Sequence, residues 1–199
     1  MLTKTQCEIL KFLLRHKEEN TTTRSIARKL GKSYTLVYNN ISNLEKRNII
    51  QKYNVPPAQI VRLHKSIPLD ILINIEFGIK TEFLEKFSWI EVMLNDMLLT
   101  AENPFFILIV FGSYANETQT KKSDIDLLII TQNKNQTKNM EITVSKLYTR
   151  VKKNIIIVEM NEFIKMISYH NELNVGNEAK KHHIILHGIE QYYQVVKRQ

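Results

Sequence analysis

Two apolar runs separated by a short polar stretch constrain this chain most, and they lie within residues 106–130. The first run, 106–111, is continuous, which is typical of a strand buried on both faces, and Gly112 and Ser113 end it. Ten further residues lead to Asp124-Ile125-Asp126, where the second run begins. The pattern predicts two core strands, with a glycine turn at the end of one and a carboxylate pair at the start of the other.

The residue types at these two strand ends suit a phosphate group and a divalent cation. Glycine lets the backbone approach a ligand closely, and Ser113 with the N–H groups that follow it forms an anion cradle at a helix N-terminus. Because side chains alternate along a strand, Asp124 and Asp126 project to the same side. We therefore predict that Asp124 and Asp126 bind Mg²⁺ and act in catalysis, and that Gly112 and Ser113 bind a nucleoside triphosphate.

This segment resembles the nucleotidyltransferase superfamily related to DNA polymerase beta, whose signature is a hydrophobic strand, Gly-Ser, a spacer and Asp-x-Asp. The spacer, 114–123, is similar to that of the minimal nucleotidyltransferases, which include the antitoxin partners of HEPN-type ribonuclease toxins. The resemblance implies a mixed sheet flanked by helices. It also implies Mg²⁺ as cofactor, ATP or another NTP as substrate, and transfer of a nucleoside monophosphate to a hydroxyl.

The sequence departs from the family pattern in two places. Asn116 replaces a basic residue that family members commonly carry after the Gly-Ser turn, and Lys121 and Lys122 are either its substitutes or ordinary solvated charges. Asn154 aligns with the third acidic residue of active members, and an amide cannot act as a carboxylate base. Glu159 faces the opposite side of a regular strand from Asn154. These departures predict metal binding with slow or absent turnover.

Positive charge is concentrated in the first third of the chain. Residues 1–67 hold 13 Lys or Arg against 4 Asp or Glu, a net charge of +9, whereas the remaining residues hold 15 against 16. A basic balance confined to one small segment indicates a polyanionic partner, for which double-stranded DNA is the simplest candidate.

The same basic segment has the pattern of three helices and a hairpin. Helices are predicted over 3–16, 22–30 and 33–47, with Gly31 ending the second and Ser33 capping the third, and strands over 49–53 and 59–63. This order resembles the winged helix-turn-helix family of transcription regulators, which implies that the third helix enters a major groove. Protein docking is the alternative. The residues that the resemblance assigns to DNA binding are Lys32, Tyr34, Thr35, Tyr38, Asn39 and Arg62, with Ser42 on the groove face and Lys46, Arg47 and Lys52 as further phosphate contacts.

The predicted fold class is α+β in three parts. A winged helix-turn-helix domain spans 1–67, a helical connector spans 68–100, and a nucleotidyltransferase-fold domain with a mixed sheet flanked by helices spans 101–199. The connector is expected to hold helices over 69–77 and 82–99, with Trp89 as a packing residue. After the two core strands we predict a polar loop over 131–139, a helix over 140–152, a strand over 154–160 and helices over 161–169 and 176–185.

Three histidines near the end of the chain invite a zinc interpretation. On a helix, His183 and His187 would be i, i+4 neighbours close to His182. The run has no cysteine, and the neighbouring Lys180 and Lys181 disfavour a cation, so a titrating surface or helix terminus is the preferred interpretation.

Composition limits the location and leaves three functional hypotheses. One cysteine excludes an intramolecular disulfide, and apolar stretches of membrane-spanning length and a signal peptide are both missing, which predicts a cytoplasmic protein. The first hypothesis is a DNA-binding regulator that transfers a nucleoside monophosphate to a protein or another acceptor. The second is a catalytically inactive transcription regulator whose transferase fold serves as a nucleotide sensor or dimer platform. The third is an antitoxin that neutralises a toxin.

Overall fold

The computed structural model describes residues 1–17, 19–169 and 172–197, and the chain divides into two compact units, Met1–Gly78 and Ile79–Gln199. The first unit begins with helices α1 (Lys4–Arg15), α2 (Thr23–Lys29) and α3 (Tyr34–Lys46), followed by an antiparallel hairpin of β1 (Ile50–Val55) and β2 (Ala58–Leu63). This is the winged-helix arrangement that the sequence predicts.

Polar caps fix the start of each helix in the first unit. The side chains of Thr3, Thr22 and Ser33 each accept a hydrogen bond from a backbone N–H in the first turn, which satisfies a donor that the helix itself leaves unpaired. Thr22 also bridges to Ile60, so the hairpin is tied to the chain that leads into α2. The inward side chains are fully buried and form one core: Ile9, Leu10, Ile26, Val37, Ile41, Leu44 and Val61.

The two predicted connector helices have different bounds in the structure. The chain forms α4 (Leu69–Lys86) and α5 (Ser88–Thr100), so the break lies at Phe87 and not after residue 77. A single helical glycine costs only about 1 kcal/mol relative to alanine. Buried side chains continue along α4 on both sides of Gly78, which keeps the helix intact. Within the described residues, no helix combines the length and mean hydropathy needed to cross a membrane.

The second unit is built on a four-stranded mixed sheet. Its strands are β3 (Ile107–Phe111), β4 (Ile125–Thr131), β5 (Lys153–Glu159) and β6 (Ile184–His187), in the order β5-β4-β3-β6. β4 runs antiparallel to β3 and parallel to β5, and β6 runs antiparallel to β3. The predicted mixed sheet is confirmed, and both central strands are apolar because helices cover the sheet. These helices are α7 (Lys134–Lys146), α8 (Met160–Ser168), α9 (Val175–Lys181) and α10 (Ile189–Val196).

The predicted loop over 131–139 and the predicted helix over 140–152 are wrong in their bounds, because α7 already begins at Lys134. Asn133 caps it by accepting a hydrogen bond from the Gln136 backbone N–H at 3.1 Å. The buried side chain of Gln136 donates to the Phe105 carbonyl at 3.0 Å, and this polar contact links α7 to the segment before β3. At the other end, Lys153 Nζ donates to the Leu147 carbonyl at 2.6 Å and so binds the end of the helix from β5.

The predicted last helix over 176–185 is also wrong, because α9 ends at Lys181 and an apolar run continues as β6. The histidines therefore lack the helical i, i+4 relationship that the zinc interpretation assumed. His183 Nδ1 lies 2.8 Å from the Ala179 carbonyl oxygen, and His187 Nε2 lies 2.8 Å from that of Pro104. The two rings are engaged with separate backbone groups.

Candidate functional site

The glycine turn and the second aspartate meet where β3 and β4 pair. Phe111, the last residue of β3, is opposite Asp126, and Gly112 opens the short helix α6 (Gly112–Ala115) directly after it. Gly112 has a φ of +64°, and a Cβ at this position would clash with Asp126 Oδ2 and lie 3.1 Å from its Cγ. Glycine is thus required twice, by its backbone conformation and by the closeness of the carboxylate.

The two aspartates lie on the same side of the chain at the start of β4. Ile125 and Leu127 are fully buried in the core, and the alternation of a strand therefore turns Asp124 and Asp126 to the other face. Asp124 Oδ2 forms an ion pair with Lys152 Nζ at 3.2 Å, and the Lys152 side chain is 82% exposed. The Asp124 side chain is itself 39% exposed, so this carboxylate is accessible and is paired with an exposed surface cation.

Asn154 lies directly beside Asp126. The parallel register of β4 and β5 pairs these two residues, and Asn154 Nδ2 donates a hydrogen bond to Asp126 Oδ1 at 3.0 Å. Glu159 pairs with Thr131 at the far end of the same two strands, where its backbone N–H donates to Glu162 Oε2 at 3.2 Å. The side chain on β5 that reaches Asp126 is thus an amide, and Glu159 is too far along the strand to take its place.

Aromatic packing fixes the turn that carries Ser113. Tyr114 is buried, with its ring centroid 5.2 Å from that of Phe87 and 6.3 Å from that of Trp89. Burial raises the pKa of Tyr114 above its usual value, and the positive charge of Arg150 partly opposes this shift. Trp89 is therefore a packing residue, as the sequence predicts, and its partner is Tyr114 in the turn after β3. Tyr114 stays a neutral phenol at physiological pH.

The cations near the carboxylates differ from those that the sequence suggests. Lys121 and Lys122 are exposed, and neither forms an ion pair with a carboxylate in the described part of the chain. Lys152 takes this place, because its backbone carbonyl accepts a hydrogen bond from the Ile125 N–H at 2.9 Å and so anchors it beside Asp124. Recognition of Lys152 required the register of β4 with β5, which no local motif in the sequence reveals.

A cleft of about 510 Å³ opens beside Asp126 and Asn154. The sheet side is lined by Phe111 and Ile156, and the opposite side includes Glu178 and Lys181 of α9. Its volume lies within the range of about 300 to about 1,000 Å³ that small-molecule sites usually have. No local motif in the sequence indicates this cleft, since α9 and the sheet are brought together only by folding.

The donor set fits a hard divalent cation of the Mg²⁺ type. Asp124 and Asp126 offer carboxylate oxygens, and Mg²⁺ is commonly held by one or two carboxylates with waters and substrate phosphates completing its shell. Across residues 1–17, 19–169 and 172–197, groups of three or more His, Cys, Asp or Glu arranged to hold a metal do not occur.

The exposed face of α3 holds four of the residues predicted to bind DNA: Tyr34, Thr35, Tyr38 and Asn39. The remaining two have partners within the first unit. Lys32 Nζ pairs with Glu8 Oε2 at 2.8 Å, and Arg62 donates to Asn20 Oδ1 at 3.1 Å. Lys52 is similarly held, 2.6 Å from Glu45 Oε2. Phosphate contacts by these cations would compete with internal contacts, whereas the face of α3 is open.

Comparisons with known proteins find similarity at two levels. Residues 94–188 match the family model described as "Polymerase beta, Nucleotidyltransferase", and this range contains the glycine turn, both aspartates and Asn154. No curated protein sequence matches the chain significantly.

Two solved structures are similar at low identity. MepR, a transcription regulator of the Staphylococcus aureus multidrug efflux pump MepA, is 22% identical with a TM-score of 0.36, over 46% of this chain and 64% of that chain. A mutant of MepR from a multidrug-resistant S. aureus clinical isolate is 22% identical with a TM-score of 0.35, over 46% and 63%. The matches thus span less than two thirds of those chains.

Proposed function

We propose a function for the whole chain from the match of residues 94–188 to the family model described as "Polymerase beta, Nucleotidyltransferase". It is a DNA-binding regulator whose second unit binds a nucleoside triphosphate with Mg²⁺ and transfers the nucleoside monophosphate to a hydroxyl. The observation that carries this proposal is the closeness of Gly112 to Asp126, which leaves no room for a Cβ between backbone and carboxylate. We expect the protein in the cytoplasm, where both proposed ligands occur.

Each group at the strand ends has a role in nucleotide binding. Asp124 and Asp126 would hold Mg²⁺, which when bound neutralises phosphate charge and acts as a Lewis acid. Gly112 and Ser113 present the backbone of α6 to the phosphates, and Lys152 can exchange its contact with Asp124 for one with a phosphate oxygen. Catalysis in such a site depends mainly on positioning and charge stabilisation.

The binding half of the proposal is tested with Asp126→Asn. We expect the affinity for ATP with Mg²⁺, measured by isothermal titration calorimetry, to fall at least about tenfold, because even outer-shell partners of metal ligands are worth that much. Asp96→Asn is the matched control, since it removes one exposed carboxylate from α5 in the same unit. Undiminished Mg²⁺-dependent binding by Asp126→Asn would contradict the site.

The transfer half is tested with labelled nucleotides. The full chain is incubated with α-³²P-labelled NTPs, Mg²⁺ and a cell lysate, and transfer of label to a protein or another acceptor is expected. Asp126→Asn serves as the background. Binding of Mg²⁺-ATP without any label transfer would remove the enzymatic part and leave the binding part standing.

A second candidate, a nucleotide sensor without transferase activity, is favoured by Asn154. Its amide donates to Asp126 Oδ1 where active relatives place a carboxylate, so a general base for the acceptor hydroxyl is missing from this position. The sensor predicts nucleotide-dependent DNA affinity with no label transfer, whereas the transferase predicts label transfer.

DNA binding by the first unit is supported by its fold and its charge. All three acidic residues described within 1–67 have internal partners: Glu8 with Lys32, Glu45 with Lys52, and Glu19 with His16. Eight basic side chains in this range are exposed, namely Lys4, Arg24, Arg28, Lys29, Lys46, Arg47, Arg62 and Lys65. A surface with exposed cations and paired anions attracts a phosphate backbone. Duplex binding at low salt, measured by fluorescence anisotropy, is the test.

A further inference from the structure

The outward face of α3, defined as Tyr34, Thr35, Tyr38 and Asn39, carries no charged side chain. Tyr34 is 52% exposed and Tyr38 is 45% exposed, so both rings are available to a ligand. Between Lys32 and Lys46 the sequence contains no Lys or Arg. The face that a winged helix presents to a major groove is therefore aromatic and amide in character.

Two cations close to this face, Lys52 and Lys32, are held by other groups, whereas Lys46 in the last turn of α3 is exposed. Lys52 Nζ lies 5.5 Å from the centroid of the Tyr38 ring and forms its ion pair with Glu45, with only 12% of the side chain exposed. Lys32 is paired with Glu8 and is 24% exposed. Neither of these two lysine side chains is therefore free to contact a base that lies against α3.

The four side chains form two adjacent columns one helical turn long. Tyr34 and Tyr38 are i, i+4 neighbours whose rings stack at 5.9 Å with an interplanar angle of 24°. Thr35 and Asn39 form the second column at the same spacing. The two stacked tyrosine rings therefore form one aromatic surface, which lies beside the methyl group of Thr35 and the amide of Asn39.

Asn39 differs from the other asparagines of the helix. Asn40 Nδ2 donates to the Leu36 carbonyl at 2.8 Å, and Asn43 Oδ1 accepts from Gln6 Nε2 at 3.1 Å. The Asn39 amide makes no hydrogen bond with any residue that the structure describes, and it is exposed. Both its donor and its acceptor are therefore available to a base edge.

This set of groups matches one class of base pair. In the major groove, guanine is recognised mainly by Arg or Lys, adenine by the bidentate amide of Asn or Gln, and the thymine methyl by apolar contacts. We propose that the outward face of α3 selects A·T over G·C pairs, with Asn39 bonded to adenine and the tyrosines and Thr35 in contact with thymine methyls. The inference rests on the proposed DNA binding and adds its sequence preference.

The first experiment selects sites from a random pool of duplexes with the full chain, followed by sequencing. Chemical probing of the bound DNA then identifies the base pairs that the unaltered chain protects and that the Asn39→Ala variant does not. We expect these base pairs to be A·T in the enriched sites. In the best site, 7-deazaadenine then removes the N7 acceptor of adenine, and deoxyuridine removes the methyl of thymine. Each replacement is expected to weaken binding by roughly five- to a hundredfold, the range of one good base contact.

Variants separate base recognition from general binding. Asn39→Ala should lose affinity for the unmodified site and become insensitive to 7-deazaadenine. Asn40→Ala, whose amide bonds within the helix, should keep the sensitivity of the unaltered chain. Tyr38→Phe keeps the ring and should keep the sensitivity to deoxyuridine, whereas Tyr38→Ala should lose it. Circular dichroism spectra confirm that each variant is folded.

The outcomes distinguish this inference from the proposal on which it rests. Enrichment of G·C pairs, or duplex binding without any enrichment, would overturn the A·T preference while DNA binding stands. Equal affinity for the unmodified and both modified sites would also overturn it. Failure to bind any duplex at low salt would remove the DNA-binding proposal itself.

Discussion

Asn154 donates its amide N–H to Asp126 Oδ1. This single contact gives one of the two proposed metal-binding carboxylates a neutral neighbour on β5. This hydrogen bond gives one oxygen of the Asp126 carboxylate a partner when no metal is bound. An aspartate at this position would instead place a third negative charge on the neighbouring strand. The amide avoids this repulsion, but it is not a group that could accept a proton.

The change Asn154→Asp tests the effect of a carboxylate in place of the amide at this position. We expect transfer of label from an NTP to rise by about a hundredfold, because a positioned general base contributes at least that much. In the absence of metal, the melting temperature should fall through carboxylate repulsion, and Mg²⁺ should restore it. Asn154→Ala is the control, because it removes the hydrogen bond without adding charge. A variant with unchanged transfer and no metal-dependent stabilisation would show that residue 154 does not face the metal.

Lys152 is the second residue that adjusts the site. It would compete with a bound metal ion for Asp124, but it is 82% exposed, and exposed ion pairs contribute at most about 1 kcal/mol. We therefore predict that Lys152→Gln tightens binding of Mn²⁺ alone by up to about fivefold, measured by calorimetry. Lys121→Gln removes an exposed charge before the same strand and should have no effect. Weaker Mn²⁺ binding by Lys152→Gln would mean that the lysine supports the metal site.

The residues of the site were predictable from sequence to the extent that they are local. Gly112, Ser113, Asp124 and Asp126 lie in one hairpin, and strand alternation alone places both carboxylates on one face. Lys152 is brought to the site by the pairing of β4 with β5, and the cleft is formed by the packing of α9 near the sheet. Such long-range contacts have no signature in a single sequence.

Helix α7 shows how polar residues can begin a helix that apolar periodicity does not reveal. Its first turns read Lys-Asn-Gln-Thr-Lys-Asn, a composition typical of loops. The helix forms there because Asn133 caps it and Gln136 reaches the backbone of the segment before β3. Helices α1, α2 and α3 were predicted closely, since each has a Thr or Ser cap followed by an apolar stripe.

The cap of α7 can be measured. We expect Asn133→Ala to lower the free energy of unfolding by about 1 kcal/mol, the usual cost of losing an N-cap side chain. Asn135→Ala, an exposed position in the same first turn, should change it by less than about 0.5 kcal/mol. Urea unfolding followed by circular dichroism gives both values. Equal effects for the two variants would show that Asn133 does not act as the cap.

The net charge differs between the two units of the fold. The basic excess lies within residues 1–67, in the winged-helix unit, and the residues that follow are close to neutral. Affinity for a polyanion should therefore come from the first unit and should fall as salt rises, because bound counterions are released when phosphates are neutralised. The second unit, which carries the proposed nucleotide site, should add little attraction for DNA.

The salt dependence of DNA binding tests this division in the full chain. We expect a plot of log affinity against log salt concentration, between about 50 and about 200 mM, to have a slope of roughly −4 to −7, corresponding to about five to eight phosphate contacts. Arg28→Gln, on the exposed side of α2, should reduce the slope by about 1 and lower affinity equally for all duplexes. Lys138→Gln removes one exposed charge from α7 in the second unit and should leave the slope unchanged. If Lys138→Gln reduced the slope as much as Arg28→Gln, the second unit would have to contact the phosphate backbone as well.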